Sequence, residues 1–406
     1  MTLPVSPQMS ATFPPPVMEA RRWLEGRTFA SNRPLLNVSQ AAPVDPPPEE
    51  LRQAMAQIIL SEPESHLYGP VLGLPELREE LARTWSHDYR GSVGADQVAI
   101  TSGCNQAFAA ALATLAGPGD EVILPTPWYF NHKMWLDMAG VAAIALPCGS
   151  DMQPDPARAA TLITTKTRAI ALVTPNNPTG AEYDPQTVQT FFELARSHGI
   201  ALIVDETYRD FHAAEPGTAL HPLFQNPDWD KTLICLYSFS KAYRLTGHRV
   251  GAMIAGAAQL SQVEKFLDTV AICPNQLGQR AALWGMQNLG SWLAGERLEI
   301  LDRRGAIQDH FTPLKQAGWQ LLGCGAYFAY IRHPFAVPSN ALAPRLVDAA
   351  QILCLPGTMF MPTEDPGGAD QLRIAFANID RSEIAVLMAR LAEVTNDSLA
   401  DATALS

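Results

Sequence analysis

Apolar residues gather in short unbroken runs through the middle of the chain: Val98–Ile100, Val122–Leu124, Val141–Leu146, Ala169–Val173, Ala201–Val204, Leu233–Leu236 and Gly251–Ile254. Between several of them lie stretches with helical spacing, such as Asn105–Leu115 and Pro185–Ser197. Runs this continuous do not suit a strand with one wet face. They predict strands covered by helices on both sides of a mostly parallel sheet, an α/β doubly wound architecture. Two helical patterns precede the first run, from Glu49 to Leu60 and from Pro75 to Tyr89. Beyond about residue 290 strands become sparse: Leu301–Gln316 and Ser382–Val394 read as helices, Tyr327–Ile331 and Gln371–Phe376 as strands. That tail predicts a second, smaller α+β domain, completed by the N-terminal segment. The proline clusters Pro14–Pro16 and Pro46–Pro48 cannot lie inside helices or central strands and predict an extended arm. The resulting division is an arm and part of the small domain over 1–48, a large domain over 49–290, and the small domain over 291–406.

Charge and composition narrow the function. The sum is 29 − 41 = −12 with no basic block, which argues against nucleic acid and anionic membrane as partners. The longest apolar runs fall far short of the roughly 20 residues that span a bilayer. The first residues, MTLPVSPQMSATFPPPV, lack the basic and apolar regions of a secretory leader. Six scattered cysteines without a CxxC pair suit thiols in a reducing cytoplasm and speak against a structural zinc site.

Open parallel sheets bind ligands at the carboxyl ends of their strands. The polar residues that follow the apolar runs are Thr101-Ser102-Gly103-Cys104-Asn105, Thr174 through Gly180 (TPNNPTG), Asp205-Glu206-Thr207-Tyr208, and Ser238-Phe239-Ser240-Lys241. Any one of these alone is more often a turn or a helix cap. Four at one end of one sheet make a site. Of only six lysines, Lys241 alone closely follows a strand. Ser102-Gly103-Cys104 opens a helix, where free N–H groups attract an anion. Ser238, Ser240 and Arg249 can converge on the same anion, Arg249 through a bidentate fork. A phosphate beside an amine points to pyridoxal 5′-phosphate held as a Schiff base.

The segments YGPVLGL at 68–74, NNPTG at 176–180, DETY at 205–208, SFSKAYRLTGHRVG at 238–251 and Leu372-Arg373-Ile374 stand in the order and spacing of fold-type I pyridoxal-phosphate enzymes. The chain resembles the class I/II aminotransferases, the aspartate, aromatic and kynurenine group, over roughly residues 30 to 395. The resemblance implies that Lys241 carries the Schiff base and shuttles the substrate proton, while Asp205 pairs with the pyridine nitrogen. Tyr208 and Asn177 would hydrogen-bond the ring's phenolic oxygen. Ser102, Gly103, Cys104, Ser238 and Arg249 would hold the phosphate, and Arg373 the substrate carboxylate. Tyr68 would reach the phosphate of a neighbouring subunit, which implies a homodimer with shared sites. The ring that stacks on the cofactor comes from Pro127-Trp128-Tyr129; counting back from Asn131-His132-Lys133 favours Tyr129, with Trp128 the alternative.

Two departures bear on substrate. Ala41 falls where many relatives carry a glycine whose backbone approaches the substrate, so its methyl crowds the pocket. Dicarboxylate-specific members add a second cation, either an arginine ahead of the loop resembling Cys273-Pro274-Asn275 or a lysine where this chain has Asn105; here both are missing. The expectation is an aminotransferase moving an α-amino group from an L-amino acid with a neutral or aromatic side chain to a 2-oxo acid. It would run by a ping-pong mechanism through pyridoxamine phosphate. The competing reading is a lyase or decarboxylase of the same fold, such as a carbon–sulfur β-lyase. No metal is expected.

Overall fold

The computed structural model describes residues 3–403. Its strands in chain order are β1 (Leu36–Asn37), β2 (Val98–Thr101), β3 (Glu121–Thr126), β4 (Ala142–Pro147), β5 (Thr167–Val173), β6 (Ala201–Asp205) and β7 (Leu233–Ser238). There follow β8 (Gly251–Ile254), β9 (Gln320–Gly325), β10 (Phe328–Arg332), β11 (Ile352–Leu353), β12 (Leu355–Pro356) and β13 (Gln371–Ala375). Seven of them form one sheet in the order β2-β8-β7-β6-β5-β3-β4, in which β8 runs antiparallel to both of its neighbours and the other pairs are parallel.

The alternation of side chains explains why these strands are apolar throughout. Val98, Ile100, Ile123, Ile170, Leu172, Leu202 and Val204 point into one buried cluster with helices Pro75–Asp88, Pro185–His198 and Gln276–Asn288. Ala99, Val122, Leu124, Ala169, Ala171, Ile203 and Leu236 point the other way, against Cys104–Leu115, Phe130–Ala139 and Ala257–Ala271. Both faces are dry, so every position of a strand must be apolar until the strand ends. On β6 the same alternation places Asp205 on the second face and the adjoining Glu206 on the first.

A separate cluster packs around the antiparallel sheet β12-β13-β10-β9, and β1 pairs in parallel with β11, Leu36 opposite Ile352. The N-terminal segment is thereby bound to the C-terminal part of the chain.

Three expectations need correction. The N-terminal arm is not simply extended, because Pro7–Ala11 and Pro16–Arg22 are helical. Each begins with proline at its first position, where the missing N–H costs nothing and the fixed φ suits a helix. The helix read over Leu301–Gln316 is two, Gly290–Asp309 and Thr312–Gln316, with Pro313 in the first turn of the second. Helices Phe130–Ala139, Ala257–Ala271 and Gln276–Asn288 were not anticipated.

Candidate active site

The carboxyl ends of β5, β6 and β7 and the start of helix Cys104–Leu115 open onto one cavity of about 260 Å³. Its wall includes Lys241, Asp205, Tyr208, Asn177, Ser238, Ser240, Arg249, Cys104, Tyr129, Ala41 and Arg373. Four segments far apart in sequence therefore converge, with Arg373 brought from β13 across the sheet boundary.

Lys241 ends in a place hostile to charge. Its Nζ donates to the Ala41 carbonyl at 2.6 Å. Burial, then the neighbouring Arg249 and Arg373 cations, bring its pKa down to about 8. A lysine so placed gives up its proton far more readily than an exposed one. Asp205 lines the same cavity, 3% exposed. Burial alone would raise its pKa, but the His132 ring and the Thr207 hydrogen bonds prevail and hold the carboxyl below its usual range. Its Oδ1 accepts from the Thr207 N–H at 3.0 Å and from the Cys104 thiol at 3.5 Å. Its Oδ2 lies 3.2 Å from His132 Nε2, whose ring stacks on Phe108 at 3.7 Å.

An anion-binding corner lies beside them. Gly103, at φ +88°, precedes the helix that begins at Cys104, and any β-carbon there would collide with the Arg249 guanidinium. Arg249 itself takes a left-handed φ of 52°, and its Nη1 donates to Ser240 Oγ at 3.3 Å and to the Thr246 carbonyl at 3.0 Å. Ser238 Oγ caps helix Phe239–Ala242 by accepting from Ser240 N. Helix start, two hydroxyls and a guanidinium form a donor set for a phosphate.

Arg373 is 2% exposed. Its Nη1 donates to Asn177 Oδ1 at 3.1 Å, its Nη2 donates to the Ser39 carbonyl, and its Nε has no partner. The guanidinium carbon lies 5.1 Å from the Phe360 ring centre, 5.3 Å from Phe328 and 6.0 Å from Phe130. Burial lowers its pKa to about 10. Among the described residues no carboxylate pairs with it, so an incoming anion would find a cation prepared for it.

The sequence-derived residues are not all together. Trp128 packs in the core away from the main cavity, and Tyr129 lines it. Tyr129 accepts from Asn131 Nδ2 at 2.9 Å. Ser102 is set back from the wall, its N–H donating to Gln106 Oε1 at 2.6 Å. Tyr68 stands well outside, 81% exposed. Sequence reasoning missed His132 as a partner of Asp205. The available signal was its place three residues after Tyr129, one helical turn along and on the same side. It also missed the phenylalanine cage and Val17 of helix Pro16–Arg22, which reaches the cavity.

The donor set suits pyridoxal phosphate: an amine, an anion corner that a β-carbon would fill, a buried carboxylate, and a buried guanidinium with an orphan N–H. A mostly parallel α/β protein with this cavity belongs to the fold-type I class. The profile of the family described as "Aminotransferase class I and II" matches residues 33–391. The chain belongs to that family, whose members use pyridoxal phosphate, and is an aminotransferase; the lyase and decarboxylase readings are not favoured. It is 26% identical over 361 residues to the aromatic aminotransferase ISS1 of Arabidopsis thaliana, covering 85% of this chain and 86% of that one. It is 25% identical over 342 residues to an aspartate aminotransferase of Sulfolobus acidocaldarius, covering 81% and 82%. The solved aspartate aminotransferase of Thermus thermophilus with maleate superposes with a TM-score of 0.86 over 97% of this chain and 100% of that one, at 23% identity. Among the described residues no helix is long and apolar enough to cross a membrane.

Proposed function

We propose that the chain transfers the α-amino group of an L-amino acid with a neutral side chain to a 2-oxo acid in two half-reactions. The observation that carries this reading is the meeting of Lys241, Asp205, Arg249 and Arg373 in one cavity. Pyridoxal phosphate, when bound, supplies a carbonyl that condenses with amines and a ring that takes up electrons from the substrate's Cα.

The chain's own residues do the rest. Arg249, Ser238, Ser240 and the helix start at Cys104 would hold the phosphate. Asp205 would pair with the ring nitrogen, and Tyr208 and Asn177 would hydrogen-bond the ring's phenolic oxygen. Tyr129 would pack against the ring. Lys241 Nζ would hold the cofactor and carry the proton that leaves Cα. Arg373 exchanges the Asn177 and Ser39 oxygens for the two oxygens of the substrate carboxylate. Its phenyl surroundings keep water out and make that exchange favourable.

The side-chain preference follows from charge. Lys241, Arg249 and Arg373 are the cations on the wall, and each has a role. A side-chain carboxylate would be desolvated without a partner. Steady-state rates with one 2-oxo acid and a panel of donors test this: neutral donors should exceed aspartate, and aspartate leading by orders of magnitude would refute it.

The exposed Tyr68 supports a homodimer in which each copy completes the other's phosphate corner. Division into an N-terminal arm over 1–48, a large domain over 49–290 and a small domain over 291–406 remains our proposal for the organisation, and the unpaired cysteines suit the cytoplasm.

A further inference from the structure

Asp205 is surrounded by unequal donors. The Thr207 N–H at 3.0 Å and the Cys104 thiol at 3.5 Å share Oδ1, and His132 faces Oδ2 at 3.2 Å. Thr207 engages the carboxylate through its side chain as well. The thiol is the weakest donor of the three, and the backbone fixes its place: Cys104 opens helix Cys104–Leu115 directly after Gly103, with 8% of its surface exposed.

We propose that Cys104 is a positioning residue for Asp205, its thiol orienting the carboxylate while withdrawing little of the charge that holds the ring nitrogen's proton. The inference rests on the reading of Asp205 given above. Serine carries its oxygen on a shorter bond, so its hydroxyl would stand farther from Oδ1 than the sulfur's 3.5 Å and out of hydrogen-bond reach. Alanine offers no donor at all. Both substitutions therefore leave the carboxylate more basic, a change that loss of packing alone does not produce.

Burial pushes the Cys104 thiol well above its usual range, with Asp205 adding to the rise, so it remains a donor throughout. The other ionisable groups that face Asp205 are His132 from helix Phe130–Ala139, Tyr129 just before that helix, and Tyr208 after β6. Lys241 and Arg249 face it across the cavity. All are unchanged in the variants, so they offset the three proteins equally.

The test is ¹⁵N NMR of holoenzyme carrying ring-labelled pyridoxal phosphate, titrated with pH, for wild type, C104S and C104A. The ring nitrogen's midpoint should rise in both C104S and C104A. In both, kcat should drop by about threefold to fivefold, the size of a modest hydrogen bond, with KM little changed. Midpoints that coincide with wild type, or that fall, would overturn the proposal and leave Cys104 as packing, seen only in Tm. If one variant does not fold, the direction of the other against wild type still decides. Wild-type protein that fails to take up the cofactor would instead sink the aminotransferase chemistry on which this rests.

Discussion

Arg373 shows how much one residue can demand of its surroundings. Ring faces offer the guanidinium some compensation, but two oxygens of the chain and a lone N–H leave its hydrogen bonding incomplete. Lysine at this position keeps the charge and loses the fork. We predict that Arg373→Lys lowers kcat/KM for amino donors by about a hundredfold, mostly through KM, as expected for one bidentate pair. An unchanged KM would remove the carboxylate role. Lys241 yields a prediction in pH. Its pKa near 8 instead of 10.5 means that the neutral amine dominates above about pH 8. The rate at which cofactor-free protein captures pyridoxal phosphate should rise with pH to a midpoint near 8 and then level off; a rise continuing past pH 10 would contradict the burial argument. The chemistry of these residues was legible in sequence because strand ends are marked by the end of an apolar run. Orientation was less so, as with Trp128 and Tyr129, neighbours whose side chains diverge.

At the level of elements, the turn from β2 into helix Cys104–Leu115 and the buried end of β6 are the sensitive points. Gly103→Ala would force a side chain into a positive φ and against Arg249. We expect cofactor affinity to fall by at least tenfold, measured by fluorescence titration, as anion binding there requires both the free N–H groups and the arginine. On the other face of β6, Glu206 is fully buried, accepting from Tyr89 Oη at 2.5 Å and from the Cys235 thiol at 3.1 Å, with His221 Nε2 at 3.2 Å. Burial opposes its charge, but His221, Arg209 and Tyr89 bring its pKa down to about 2 from 4.5. A carboxyl with a depressed folded pKa stabilises the fold above its unfolded value. That contribution should be lost as pH falls from about 4.5 to 2. Glu206→Leu should flatten this acid limb of a chemical denaturation series and cost several kcal/mol at pH 7, because it strands buried partners. An unaltered acid limb would show that Glu206 is not ionised in the fold. Strands were legible because both faces of the sheet are apolar. Helix Gln276–Asn288 escaped notice because its buried face carries Gln276, Gly278, Gln279 and Gly285 among two alanines, a pattern with little apolar contrast.

For the whole molecule, the central feature is that one cavity draws on segments from residue 17 to residue 373. The N-terminal helix was hidden by its prolines, which sequence reasoning treated as breakers although they start helices here. Family membership was legible because four of its five motifs each place residues on the cavity wall, Asn177, Asp205, Lys241 and Arg373 among them. If Tyr68 serves a neighbouring copy, sedimentation should give twice the mass of the chain, and Tyr68→Phe should weaken cofactor retention without changing that mass. A monomer with full cofactor affinity would end the shared-site reading.

The most direct test is the visible absorption spectrum of the holoenzyme mixed with single amino acids and no 2-oxo acid. Neutral donors should bleach the yellow protein, and a 2-oxo acid added afterwards should restore the colour. Lys241→Ala should do neither at a comparable rate. Yellow colour that persists while ammonia or carbon dioxide accumulates, or a protein that stays colourless in excess pyridoxal phosphate, would contradict the account.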